Sequence, residues 1–141
     1  MTDFSVQKTV TGRKIDSRWR AGAHGHGTAV PGQLDPSKFT KGTHYGDDGI
    51  LPSGIALSKL ASGLFGPWDP TAADGAAQSV VDGYIDDELG VPIVVNGVTV
   101  AKPTVAVLKH SEIAVPYLPI VGQRAGIRTA KTSGLFIYVE D

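Results

Sequence analysis

Four groups of residues in this chain carry side chains that could do chemistry. His24-Gly25-His26 places two imidazoles two residues apart, and in an extended chain such residues share a face. That is the start of a metal site, but zinc wants three or four ligands and no HExxH or further histidine pair completes the set. His44 and His110 lie far away in sequence, so a solvated or hydrogen-bonding pair is expected and no metal. Asp82, Asp86, Asp87 and Glu88 crowd four carboxylates together, as general acid–base work or Mg²⁺ binding would need. No Lys, Arg or His stands near them in sequence to hold a phosphate, so a solvated turn after a strand is expected. Lys131-Thr132 has the look of a phosphate-loop ending. Ala130, however, stands where a glycine must let the backbone approach the phosphates. The fourth group is Arg13, Lys14, Arg18, Trp19 and Arg20, basic residues around one indole. Such a patch grips phosphates and stacks on a base, or makes cation–π and charge contacts with an acidic protein groove. The residue types alone leave both readings open.

No catalytic residue and no cofactor site is therefore expected. The chain has no cysteine, which excludes a disulfide framework, an iron–sulfur cluster and a thiol nucleophile. There is no GxSxG elbow. Asp82–Gly90, DGYIDDELG, resembles the uridine-binding motif of trimeric dUTP-hydrolysing enzymes, but the Arg-bearing phosphate motifs and the Gly-rich closing loop are missing.

The elements that must position these residues read as short strands. With 141 residues, 18 glycines, 9 prolines and 19% charged side chains, the chain suits one compact domain and excludes a coiled coil or long helical bundle. No apolar run approaches the ~20 residues that cross a bilayer, and the first ten residues lack a signal peptide's apolar stretch. A soluble protein made in a cytoplasm, without membrane contact, is expected. Charge divides unevenly. Residues 1–41 hold seven basic groups against Asp3, Asp16 and Asp35, a net of +4, whereas the remainder holds six basic and eleven acidic groups, a net of −5. A basic arm on an acidic body points to an acidic partner surface.

Residues 1–49 read as an extended N-terminal arm. Phe4, Val6 and Val10 alternate with polar residues as one short strand would, and the Gly-rich Ala21–Gln33 stretch has few large apolar groups. From residue 50 to 141, β-branched and aromatic runs are bounded by Gly, Pro, Asn and Asp, the pattern of short strands and turns. Val95-Asn96-Gly97-Val98 predicts a type I′ hairpin pairing Val95 with Val98, Val94 with Thr99 and Ile93 with Val100. Ile93, Val95, Val98 and Val100 then share an apolar face expected to be buried, and Pro92 and Pro103 place the hairpin at an edge or protruding. Val121–Lys131 is the best helix window, and its two glycines allow at most one short helix. The expected fold is mainly β, a small barrel or sandwich carrying an extended arm.

Leu51–Glu88 resembles the core of tailed-phage head decoration proteins of the lambdoid head-stabilising type. The phrases that carry the resemblance are Leu51-Pro52-Ser53-Gly54-Ile55-Ala56-Leu57, Trp68-Asp69 and Asp74-Gly75-Ala76-Ala77, followed by Val107–Ala114, VLKHSEIA. The match covers about half the chain, the arm is longer than in the prototype, and residues 91–103 look like a hairpin insertion. The resemblance implies a structural protein of the virion's outer capsid surface. It would bind the major capsid protein as a homotrimer at three-fold positions of the expanded head and hold the shell against the pressure of packaged DNA. The arm would order on the shell, with Phe4, Val6 and Val10 filling pockets and Arg13, Arg18, Trp19 and Arg20 as anchors. Direct nucleic-acid binding is not expected. Two alternatives stand beside this one: the trimeric nucleotide hydrolase, and a single-strand nucleic-acid-binding barrel, which the acidic body disfavours.

Overall fold

The computed structural model describes residues 16–22 and 28–140. These described residues are mainly β, with thirteen short strands and one short helix. In order these are β1 (Val30–Gln33), β2 (Ile50–Leu51), β3 (Ala56–Lys59), β4 (Phe65–Pro67), β5 (Val80–Val81), β6 (Gly83–Ile85) and β7 (Val91–Pro92). There follow β8 (Val94–Val95), β9 (Val98–Thr99), β10 (Thr104–Leu108), β11 (His110–Ala114), α1 (Val121–Arg124), β12 (Lys131–Thr132) and β13 (Leu135–Val139).

One antiparallel sheet, ordered β1-β10-β6-β3-β4, organises the body. Its central strands read as nearly continuous apolar runs because both faces are covered. Side chains alternate across a strand, and here neighbours go to opposite cores. Ile55, Leu57, Ile85, Val105 and Val107 pack on one side with Leu34, Phe39, Leu51 and Phe65. Ala56, Tyr84 and Leu108 pack on the other with Trp19, Trp68, Ile113, Leu118 and Ile127. The sheet does not close into a barrel. A single bridge, Leu34 to Phe65, joins its two edges.

The second core is capped by β11 and β13, which pair in parallel from His110↔Leu135 to Ala114↔Val139. Parallel neighbours need a crossover of a dozen or more residues. Residues 115–134 supply it, and α1 lies within them. The helix is one turn long inside the expected window, and Gly126 in the left-handed region precedes a 3-10 turn at Ile127–Thr129.

The hairpin forms in the expected register, with Val94↔Thr99, Val95↔Val98 and an Ile93–Val100 hydrogen bond of 2.8 Å. Asn96 (φ 51°) and Gly97 (φ 77°) supply the two positive φ values that a type I′ turn needs. Its apolar face is not buried throughout, contrary to expectation. Ile93 is 1% exposed at the base, but Val95 and Val98 are 47% and 69% exposed. Backbone bonds from Ile93 and Val94 to the Gly49 carbonyl root the base, and the short ladder projects beyond the body.

The arm also needs correction. In its described part, β1 pairs with β10 over four residues, and Trp19, Leu34 and Phe39 are 1%, 0% and 5% exposed. Few large apolar residues occur before residue 41, but these three enter the core, so the boundary at residue 49 does not separate an arm from a body. Strand pairing carries the backbone there, and sparse apolar content is enough.

Candidate functional site

The basic cluster is built on a strap, residues 16–22, laid against β11. Arg20 bridges Ile113 antiparallel, the Ala21 N–H donates to the Glu112 carbonyl at 3.0 Å, and the Ala114 N–H donates to the Trp19 carbonyl at 2.7 Å. Side chains alternate along this short edge strand, which decides their roles. Trp19 points in. Its indole N–H donates to Ser53 Oγ at 3.1 Å, and its ring stacks 5.9 Å from Tyr84. Gly54 makes room for that ring, since a Cβ there would stand 2.8 Å from the indole and its φ is +95°.

Arg20 is also spent on the body. Its side chain is 8% exposed, and its Nη2 meets the Asp86 carbonyl at 2.7 Å and the Asp86 carboxylate at 3.0 Å. Glu88 lies 3.9 Å from Nη1, and the guanidinium sits 5.0 Å from the Trp19 ring. Arg18 alone of the described three turns outward. It is 67% exposed, holds Asp16 through bonds of 3.0 and 2.9 Å, and lies 4.7 Å above the Tyr117 ring. The aromatic and basic residues therefore do not form one open patch. Phe4, Val6, Val10, Arg13 and the His24–His26 pair lie outside the described residues.

The acidic cluster disperses in the same way: Glu88 stands in the exposed turn expected after a strand, whereas the three aspartates are tied to the body. Asp82 accepts from the Lys59 N–H at 2.6 Å and from Ser133 Oγ at 2.6 Å. Asp87 accepts from the Ala106 N–H at 2.8 Å, and Asp86 and Glu88 face Arg20. These carboxylates satisfy backbone donors and one buried cation. No group of three His, Asp or Glu among the described residues could hold a metal ion. No helix there is long and apolar enough to cross a membrane.

The residues that carry the family resemblance are structural in their contacts. Leu51 is fully buried, Pro52 follows it at the mouth of a 140 Å³ hollow beside Asp16 and Tyr117, and Gly54 admits Trp19. Trp68 is buried and donates its indole N–H to the Ser79 carbonyl at 3.2 Å. Asp69 accepts from the Thr71 N–H and hydroxyl at 2.9 and 2.6 Å, which locks a turn and holds its carboxyl below the ordinary carboxylate value. Asp74 pairs with Lys131 at 2.7 Å, and Gly75 turns the chain at φ +91°.

One feature was not visible in sequence. A cleft of about 450 Å³ brings Lys38, Thr40, His44, Trp68, Asp69, Gln78 and Gln123 together from four separate segments. His44 Nδ1 accepts from the Thr40 N–H at 2.8 Å, so the neutral ring carries its proton on Nε2. Burial pushes the imidazole pKa down from 6.5, with Asp69 opposing. The folded state then binds this proton less readily than the unfolded chain does. Its contribution to stability is complete above pH 6.5 and is lost as pH falls below that value. Thermal unfolding from pH 7.5 downward is expected to show that loss, and His44→Gln to remove it above the carboxylate range. Parallel pH profiles for parent and variant would contradict this.

No protein-family model, curated protein or solved structure matches the chain.

Proposed function

We propose that this chain is a structural decoration protein. It binds as a homotrimer to the major capsid protein on the outer surface of an expanded viral head and strengthens that shell by binding, without catalysis or cofactor. The observation that supports this reading is where the resembling residues stand. Leu51 and Trp68 are buried in the two cores, Gly54 admits Trp19, and Asp69, Asp74 and Gly75 belong to surface turns, so the residues on which the resemblance rests are ones that build the body. The strap adds a mechanical reason. Trp19 and Arg20 fasten the start of the described chain to the body. A tether rooted in the core transmits load, and three tethers on one trimer multiply weak contacts when lattice and trimer symmetries match.

Purified expanded heads, mixed with protein and sedimented, test the reading. Full-length protein should co-sediment. A chain lacking residues 1–15 should lose about 100-fold in apparent affinity, and an Arg13→Ala/Arg18→Ala variant should weaken in parallel with added salt. Equal decoration by the shortened chain would move attachment to the body. No co-sedimentation of the full-length chain would end the proposal.

A further inference from the structure

Asn96-Gly97 carries a chemistry that the fold leaves unused. Asn96 is the chain's single asparagine, and it stands exposed at the tip of the β8–β9 hairpin. Asparagine is a thermolabile residue, because the amide nitrogen of the next residue can attack its side-chain carbonyl carbon. Glycine in that next position has no side chain to block the approach. Around Gly97 the space is open, and a Cβ built there would meet nothing within 4 Å. Its N–H lies in the turn between Val95 and Val98, outside the ladder, and no described residue accepts from it.

We propose that Asn96 is a self-modification site, where the chain turns its own asparagine into aspartate and isoaspartate and so dismantles the hairpin. In the first step the deprotonated Gly97 nitrogen bonds to Asn96 Cγ. The Cγ–Nδ2 bond breaks, and the side-chain nitrogen takes a proton from water and leaves as ammonia. A five-membered imide results. Water then adds to one of its two carbonyls. Breaking the new Cγ–N bond gives aspartate, and breaking the original C–N bond gives isoaspartate, whose main chain runs through Cγ. Water is the only co-reactant.

The fold sets both the place and the rate. Ring closure turns Asn96 ψ away from the ~30° of a type I′ turn, so the tip must open first. Opening costs little, because the ladder has only the pairs Val94↔Thr99 and Val95↔Val98, and a lone two-stranded hairpin is marginal. Val95 and Val98 are exposed, so burial does not hold the tip shut. The three Asp-Gly pairs, which could close the same ring, are restrained. Gly49 N–H donates to the Gly46 carbonyl at 3.1 Å, and Gly83 is packed against Val107. Lys131 holds the Asp74 carboxyl below its ordinary value, and an ionised carboxylate is a poor electrophile. An isoaspartyl linkage adds one carbon to the backbone, so residues 96–97 no longer make a two-residue turn. The Val95–Val98 pairing is then lost, while the 2.8 Å bond from Ile93 to the Gly49 carbonyl keeps the base in place. The proposal concerns the free chain and stands independently of capsid attachment.

Timed incubation of the full chain at neutral pH, beside a linear peptide of residues 91–103, tests it. Intact mass reads the exchange of ammonia for water, and protein isoaspartyl methyltransferase marks isoaspartate. Asn96 is expected to convert at a rate within about tenfold of the peptide's, and faster as pH rises. Asn96→Gly keeps a type I′ turn and should give neither signal. The close Hα contact of Val94 with Thr99, read by NMR, should be lost in the isoaspartyl fraction. It should persist in Asn96→Gly and in Asn96→Asp, which has the added charge without the added carbon. Conversion slower than that bound, or isoaspartate arising without a change in mass, would overturn the assignment to Asn96. A Val94–Thr99 contact kept in the isoaspartyl fraction would overturn the loss of the hairpin.

Discussion

A chain lacking residues 1–41 is expected to be unfolded, whereas one lacking only residues 1–15 is expected to keep its body. The difference lies in four contacts that the longer deletion removes. Trp19, Leu34 and Phe39 leave the two cores, and β1 leaves the edge of the five-stranded sheet. Truncating a buried aromatic or leucine costs about 2–5 kcal/mol. Three such losses reach roughly the whole 5–15 kcal/mol by which a domain is stable. The backbone adds to this, because β10 loses its partner over Val30–Gln33 and the Asp35 N–H to Phe65 carbonyl bond of 2.9 Å goes as well. Circular dichroism and a thermal melt would decide it. A cooperative transition in the longer deletion, near the parent's midpoint, would show that the strap and β1 are dispensable.

That expectation reverses a reading the sequence invites, and the reason is physical. Trp and Arg are the residues of interface anchors, and they are equally the residues that fasten a strap to its own body. Trp19 and Arg20 look the same in both settings. What separates them is Ser53, Asp86 and Glu88, the partners that fill their hydrogen-bonding and charge needs from far along the chain. Local signals fared better. Asn96-Gly97 sets a turn through two adjacent φ values, so hairpin and register were legible. The mainly β character followed from short bounded runs in the same way. The parallel β11–β13 pair was not legible, because no local pattern announces a partner across residues 115–134. The His44 cleft was hidden for a related reason. Its walls come from segments that only the folded sheet brings together.

Gln123→Leu is expected to cost about 2–6 kcal/mol. Gln123 is 2% exposed and acts as a piece of strand supplied by a side chain. Its Oε1 accepts from the Ala56 N–H at 2.9 Å, and its Nε2 donates to the carbonyls of Ala56 and Trp68 at 3.0 and 2.8 Å. The amide thereby gives residue 56 both of the bonds that a neighbouring residue in a ladder would give. Leucine has nearly the right size and none of the polarity. The Ala56 carbonyl would keep its bond from the Trp68 N–H, 2.8 Å long, but the Ala56 N–H and the Trp68 carbonyl would lose the bonds that Gln123 gives them. Each buried polar group left unpaired costs about 1–3 kcal/mol, which sets the range. Gln123→Glu separates polarity from shape. An ionised glutamate can accept from the Ala56 N–H but cannot donate to either carbonyl, and it adds a buried charge, so its loss should exceed that of leucine at neutral pH and shrink on acidification. Denaturant melts of both variants at two pH values would check this. A loss below about 1 kcal/mol for leucine would mean that the freed backbone groups find other partners, and α1 would not be the clamp that joins β3 to the Trp68-Asp69 turn.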